Sequence, residues 1–250
     1  MLIVKKITKV LLTISLLTLV ATFWFRNTLP KPEQILPELN QEPNQIAVNM
    51  DPIRISQDGF TAILSPLYEY RQSGLVVTQY DSDTWYDYSH KNDPFNTKDV
   101  CVIWGHNIKT DTYRQGDFGH GEFTCTWYFN DGEMFNNFSY EAIANNHLIP
   151  ANREVQKMIA RIRIGDQISL SGYLVNYEVT DDTKQKAIGQ RSTSTTRLDT
   201  GNGACEIIYV TELEILKANP GLLPLLYRLS LVFSVVFFVI RLLMLLRPAN

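Results

Sequence analysis

Two long apolar stretches, one near each end of the chain, constrain its fold more than any other feature. Residues 10–25 carry no charge. With Lys9 reaching outward from the first turn, the segment 7–25 is long enough to cross a bilayer core of about 30 Å. A cleavable signal peptide starts the same way, but it needs small residues ahead of its cleavage point. Here Ala21-Thr22 runs into Phe23-Trp24-Phe25-Arg26, side chains that suit a membrane–water interface instead. The expectation is an uncleaved transmembrane helix. The second stretch, 222–246, has an uncharged centre at 229–240 bracketed by Arg228 and Arg241. Twelve helical residues cover about 18 Å. The span therefore needs its flanking leucines, with the arginine heads reaching the interface while their stems stay in lipid. Its apolar residues lie all round the helix, unlike those of a helix lying flat on a membrane.

Charge sets the expected orientation. Lys5, Lys6 and Lys9 open the first span, and Arg241 and Arg247 end the second. Under the positive-inside rule both termini, 1–6 and 247–250, are cytoplasmic and everything between the helices is extracytoplasmic. The setting expected is a bacterial inner (plasma) membrane with a periplasmic or extracellular domain. Six of the 23 basic residues lie in the two end segments, which contain no acid. The remaining 17 face all 26 acidic residues, a formal charge of −9 for the middle. That balance excludes nucleic acid as a partner. The expected partners are the lipid bilayer, through the two helices, and an envelope protein.

Residues 26–50 hold Pro30, Pro32, Pro37 and Pro43 among polar residues and read as a semi-extended linker. The domain proper is expected at 51–218, enough for one core. Strand signals dominate it. Segments 67–72 and 75–80 flank Ser73-Gly74 and read as a hairpin, and so do 167–170 and 173–179 around Ser171-Gly172. Residues 100–104 form a continuous apolar run, and 207–216 close the domain. One helix is clear: Asn152 caps it, Val155, Met158, Ile159 and Ile162 share a face, and Gly165-Asp166 ends it. A weaker helix is expected at 139–145. The fold class is mainly β with helical cover (α+β): a small barrel or curved antiparallel sheet flanked by two transmembrane helices. The helix–Gly165-Asp166–strand–Gly172–strand pattern resembles oligonucleotide/oligosaccharide-binding barrels and the barrel of sortases.

No complete catalytic motif is present. Residues 192–206 form the densest polar stretch, with Arg197 available to an anion or an internal carboxylate and Asp199 available to local amides. A turn leading into the last strand explains them as simply. Asn146 and His147 precede an apolar-proline run, where a histidine can be held in one tautomer. Asn146, His147, Arg197 and Asp199 are the candidate binding residues. Should Cys205 and His147 meet in space, they could form a thiol nucleophile and its base, with Asp199 or Asn146 orienting the ring. Glu206 and Asp199 beside the thiol argue against that, and favour a structural Cys205, buried or bridged, for example to Cys125. The three cysteines, Cys101, Cys125 and Cys205, allow one disulfide and one free thiol. His106, Asp117 and His120 match no zinc spacing, so no metal or cofactor is expected. Asn137-Phe138-Ser139 fits a glycosylation sequon, relevant only to a eukaryotic secretory setting.

The set Asn146-His147-Leu148-Ile149-Pro150-Ala151, Gly165-Asp166, Gly172-Tyr173-Leu174-Val175, Ser194-Thr195-Thr196-Arg197-Leu198-Asp199 and Gly203-Ala204-Cys205-Glu206 resembles an uncharacterised family of bacterial membrane-anchored proteins. The resemblance spans most of 60–216. It implies an inner-membrane setting and brings no activity, ligand or catalytic residue. The leading functional expectation is thus a non-enzymatic envelope module that binds a partner or ligand. The alternative is a cysteine-dependent hydrolase or transferase at the membrane surface.

Overall fold

The structure is a computed structural model that describes residues 2–82, 84, 87–88, 90–199, 204–219 and 221–246. Arg247 and the C-terminal 247–250 segment lie outside them. The chain divides into two compact units, Met1–Pro30 with Pro220–Asn250, and Lys31–Asn219.

The first unit is a pair of apolar helices, α1 (Leu2–Thr22) and α5 (Leu222–Leu246). Both are long and apolar enough to cross a membrane. They run antiparallel: Arg241 Nη1 donates to the Lys5 carbonyl at 3.2 Å, Ser234 Oγ bonds Ser15 Oγ at 3.0 Å, and the Phe23 ring meets Tyr227. Small hydroxyl residues let the helices approach, and their hydroxyls find partners inside the pair.

Among the described residues, the second unit holds ten strands, β1 (Asn44–Ala47), β2 (Ile53–Gln57), β3 (Phe60–Tyr80), β4 (Lys98–Ile103), β5 (Gly116–Gly121), β6 (Thr124–Phe129), β7 (Ile143–Pro150), β8 (Gln167–Asp181), β9 (Lys186–Arg191) and β10 (Cys205–Lys217). Between them lie the short helices α2 (Gly105–Lys109), α3 (Gly132–Asn137) and α4 (Arg153–Arg161). All strands but β5 and β6, a separate hairpin, join one eight-stranded sheet in the order β1-β3-β4-β7-β10-β8-β9, with β2 on β3. Because β3 pairs with β8 as well as β4, the pairings return to their start. β7 and β10 run parallel; α4, β8 and β9 form the long connection a parallel pair needs.

One face of the sheet buries Tyr70, Val100, Val102, Trp104, Leu148 and Ile208 against α4. The helix forms as its sequence suggests: Asn152 Oδ1 accepts from the amides of Glu154 and Val155, and Val155 and Ile159 turn inward. Gly165, at φ +85°, then supplies the left-handed turn that only glycine takes freely. The other face buries Ala62, Leu64, Phe95, Ile149, Val175 and Ile207.

Several expectations give way. Ser73-Gly74 and Ser171-Gly172 are not turns; each lies inside one long strand, β3 or β8. Their glycines serve close approach. A Cβ at Gly172 would stand 2.0 Å from the Tyr209 carbonyl oxygen, and one at Gly74 2.3 Å from Val102 Cγ1. Residues 31–50 are not a free linker. Pro32 and Pro37 open 3-10 turns, Leu39 is fully buried, β1 pairs with β3, and Gln167 bonds both Leu36 N and Gln34 O. The helix expected at 139–145 is a single 3-10 turn, Tyr140–Ala142, after which the chain enters β7.

Candidate functional site

Three neighbouring strands assemble the site. In the β4–β7 ladder Asp99 lies opposite His147. In the β7–β10 ladder His147 lies opposite Ile207, and Asn145 opposite Cys205. Side chains alternate along each strand. Asp99, Cys101, Asn145, His147 and Cys205 therefore share one face, while Val100, Asn146 and Glu206 share the other.

On that face His147 Nδ1 is 2.7 Å from Asp99 Oδ1, both groups almost wholly buried. Its other ring nitrogen, Nε2, is free of Asp99, and Cys205 lies on the same strand face, opposite Asn145 two residues before His147. Burial disfavours a charged ring, yet the bonds to Asp99 and Cys205 outweigh it and raise the His147 pKa to about 9. Asp99 shows the matching effect. Burial opposes its charge, but His147 and Asn96 hold the carboxyl below its ordinary range. Asn96 Nδ2 donates to Asp99 Oδ1 at 2.8 Å.

The half-buried Cys205 thiol is not bridged. The disulfide joins Cys101 to Cys125 instead, with Cα atoms 6.1 Å apart, so the Cys125–Cys205 pairing is corrected. It ties β6 to β4 and lays the hairpin tip over the site. There Asn145 Nδ2 lies 3.5 Å from Cys205 Sγ, and the Phe123 ring packs 4.1 Å from the His90 ring and 6.0 Å from that of His147. His90 Nδ1 is in turn 2.8 Å from Asp87 Oδ2. A cavity of about 370 Å³ opens beside it, lined by Ser82, Thr84, Asp87, His90, Asp93 and Asn96 among others.

The other sequence candidates stand elsewhere. Asn146, fully buried on the opposite face, donates to the Val100 carbonyl at 3.3 Å. Arg197 pairs with Glu206 there, donates to Tyr70 OH at 2.7 Å, and rests on the Trp104 ring. Asp199 accepts from Ser194 Oγ at 2.7 Å and does not orient His147. Residues 200–203 of the polar stretch lie outside the described residues. The acids thought to oppose the thiol thus point away from it or are bonded elsewhere. His106 Nε2 lies 2.9 Å from the Asn137 carbonyl, whereas His120 Nε2 lies 2.9 Å from Asn145 Oδ1, at the edge of the site. Among the described residues no group of three or more His, Cys, Asp or Glu side chains is arranged to hold a metal.

Asp99 is the residue the sequence reading missed. Its one signal is local: an acid beside Lys98 directly at the start of an apolar run, where all six residues of β4 are buried. Asn145 and Phe123 carried no signal beyond their neighbours. No family model matches the chain, and neither does any curated protein or solved structure.

Proposed function

We propose that the chain is a membrane-anchored thiol enzyme that transfers or hydrolyses an acyl group. The observation that carries this reading is that His147, bonded to the buried Asp99, shares one strand face with the free Cys205 thiol. The roles assigned in this reading are these. Cys205 gives its proton to His147 Nε2 as its sulfur adds to a carbonyl carbon, and the C=O π pair moves onto oxygen near Asn145 Nδ2. The tetrahedral centre collapses, the leaving group takes a proton from His147 Nε2, and a thioester remains. Water or another nucleophile attacks the thioester and gives its proton to His147, which passes it to the Cys205 sulfur as the C–S bond breaks. Asp99 keeps the ring in one orientation and stabilises its positive charge throughout.

The site stands on a closed ring of strands that we read as a small barrel. We place the domain outside the membrane with both termini inside. The lysines of α1 and Arg241 of α5 support this, as do the antiparallel helices and a disulfide suited to an oxidising compartment.

Iodoacetamide labelling of the full chain in non-ionic detergent tests the reading. Cys205 should alkylate with a rate that falls about tenfold or more in His147→Ala, because the partner that activates the thiol is gone. A rate equal in both chains returns the protein to the binding-module reading, which the covering Phe123 would then favour.

A further inference from the structure

The tip of the β5–β6 hairpin enters the site as a substrate would. The Phe123 carbonyl oxygen accepts from Asn145 Nδ2 at 3.0 Å and from the Cys205 thiol at 3.6 Å. A carbonyl oxygen only accepts, so the Asn145 atom facing it is the amide nitrogen, and Asn145 Oδ1 turns to His120. One donor therefore reaches both the sulfur and a carbonyl oxygen held against it. That is the arrangement required of a group that stabilises the oxyanion of acyl transfer. The ring attached to this carbonyl is bound as well. It packs against His90, and the Arg191 guanidinium lies 3.9 Å above its centroid. Phe123 holds φ +60°, a region costly to a bulky side chain, so these contacts outweigh a backbone penalty.

We propose that Phe123 occupies the acyl subsite in the manner of a pseudosubstrate, and that the acyl donor is a peptide whose reacting carbonyl belongs to an aromatic residue. The proposal rests on the thiol-enzyme reading. The aromatic side chain of the donor takes the place of the Phe123 ring between His90 and Arg191. Its carbonyl oxygen takes the place of the Phe123 oxygen on Asn145. The hairpin tip must withdraw for the donor to enter.

Peptide aldehydes test this, because a thiol adds to the aldehyde carbon and its proton passes to the oxygen, giving a reversible hemithioacetal. The full chain in non-ionic detergent is labelled with iodoacetamide in the presence of acetyl-phenylalaninal, acetyl-alaninal or the aspartate aldehyde. Cys205 modification is read by intact mass. The phenylalanine compound should protect at about tenfold lower concentration than the other two, the discrimination one well-filled apolar subsite supplies. Phe123→Gly removes the ring and relieves the backbone. It should speed Cys205 alkylation and keep the phenylalanine preference, while Arg191→Ala should reduce that preference. Equal protection by all three aldehydes in the Phe123→Gly chain, with alkylation still dependent on His147, overturns the subsite and leaves the thiol reading intact. Alkylation independent of His147 overturns both.

Discussion

At His147 two opposed effects meet: burial disfavours the charged ring, and its bonds to Asp99 and Cys205 favour it. The ring's ordinary value is 6.5 and its folded value about 9. A group raised on folding stabilises the native state fully below the lower value, and that contribution is lost as pH climbs through the higher one. Urea midpoints measured from pH 6 to pH 10 should therefore fall across the 6.5–9 window. The fall should be smaller in His147→Gln, which cannot take the proton. Asp99 acts on the ring alone, since its carboxylate touches His147 and Asn96 rather than the sulfur. Asp99→Asn should lower the Cys205 alkylation rate by about a hundredfold at most, within the range for a lost acid–base partner, and flatten its pH profile. A rate unchanged in that variant would remove Asp99 from the mechanism.

The hairpin and the long strands carry their own tests. Cys101–Cys125 closes a separation of 24 residues, and a bridge over such a loop contributes about 3 kcal/mol by chain-entropy reasoning. Replacing both cysteines with serine should lower the melting temperature. It should also speed Cys205 alkylation, because the strand bearing Phe123 loses its tether to β4. A lowered melting temperature with unchanged alkylation would mean the hairpin does not restrict access. In β8, Gly172→Ala should cost about 3 kcal/mol or more, since its Cβ would meet the Tyr209 carbonyl oxygen, which cannot move without breaking the β8–β10 ladder. Gly189→Ala in β9 is the control. Nothing lies within 4 Å of its Cβ position, and the change should stay within about 0.5 kcal/mol.

For the molecule as a whole, the arrangement proposed is a catalytic domain held by a two-helix anchor. The exposed faces of both helices are apolar, with Leu17, Leu243 and Leu245 among the outward side chains, and need lipid or detergent to cover them. Reporter fusions at either terminus should read cytoplasmic, and one after Asp51 extracytoplasmic. A cytoplasmic signal from the Asp51 fusion would invert the orientation and place the Cys101–Cys125 bridge in a reducing compartment, where it would not persist.

Much of the fold was legible from local pattern. Two long apolar runs, the Asn152-capped helix, the buried run at 100–104 and the final strand all follow from hydropathy and periodicity, which depend only on neighbouring residues. The middle glycines misled because the same residue serves a turn and a close strand crossing. What separates those uses at Gly74 and Gly172 is the neighbouring strand, which lies far away in sequence. The prolines of 31–50 misled similarly, since their 3-10 turns carry Leu39 into a core that nothing nearby announces. The site divides in the same way. Cys205 and His147 could be named as a conditional pair from their chemistry alone, whereas the acid beside the ring is Asp99, with Asp199 bonded to Ser194 instead. Asp99 and His147 are 48 positions apart in the chain and meet only because β4 and β7 pair in one register. A slip of one residue would turn Val100 to the site and send Asp99 into the apolar core. Composition and spacing determine which segments become strands and helices; register between distant strands decides which side chains meet.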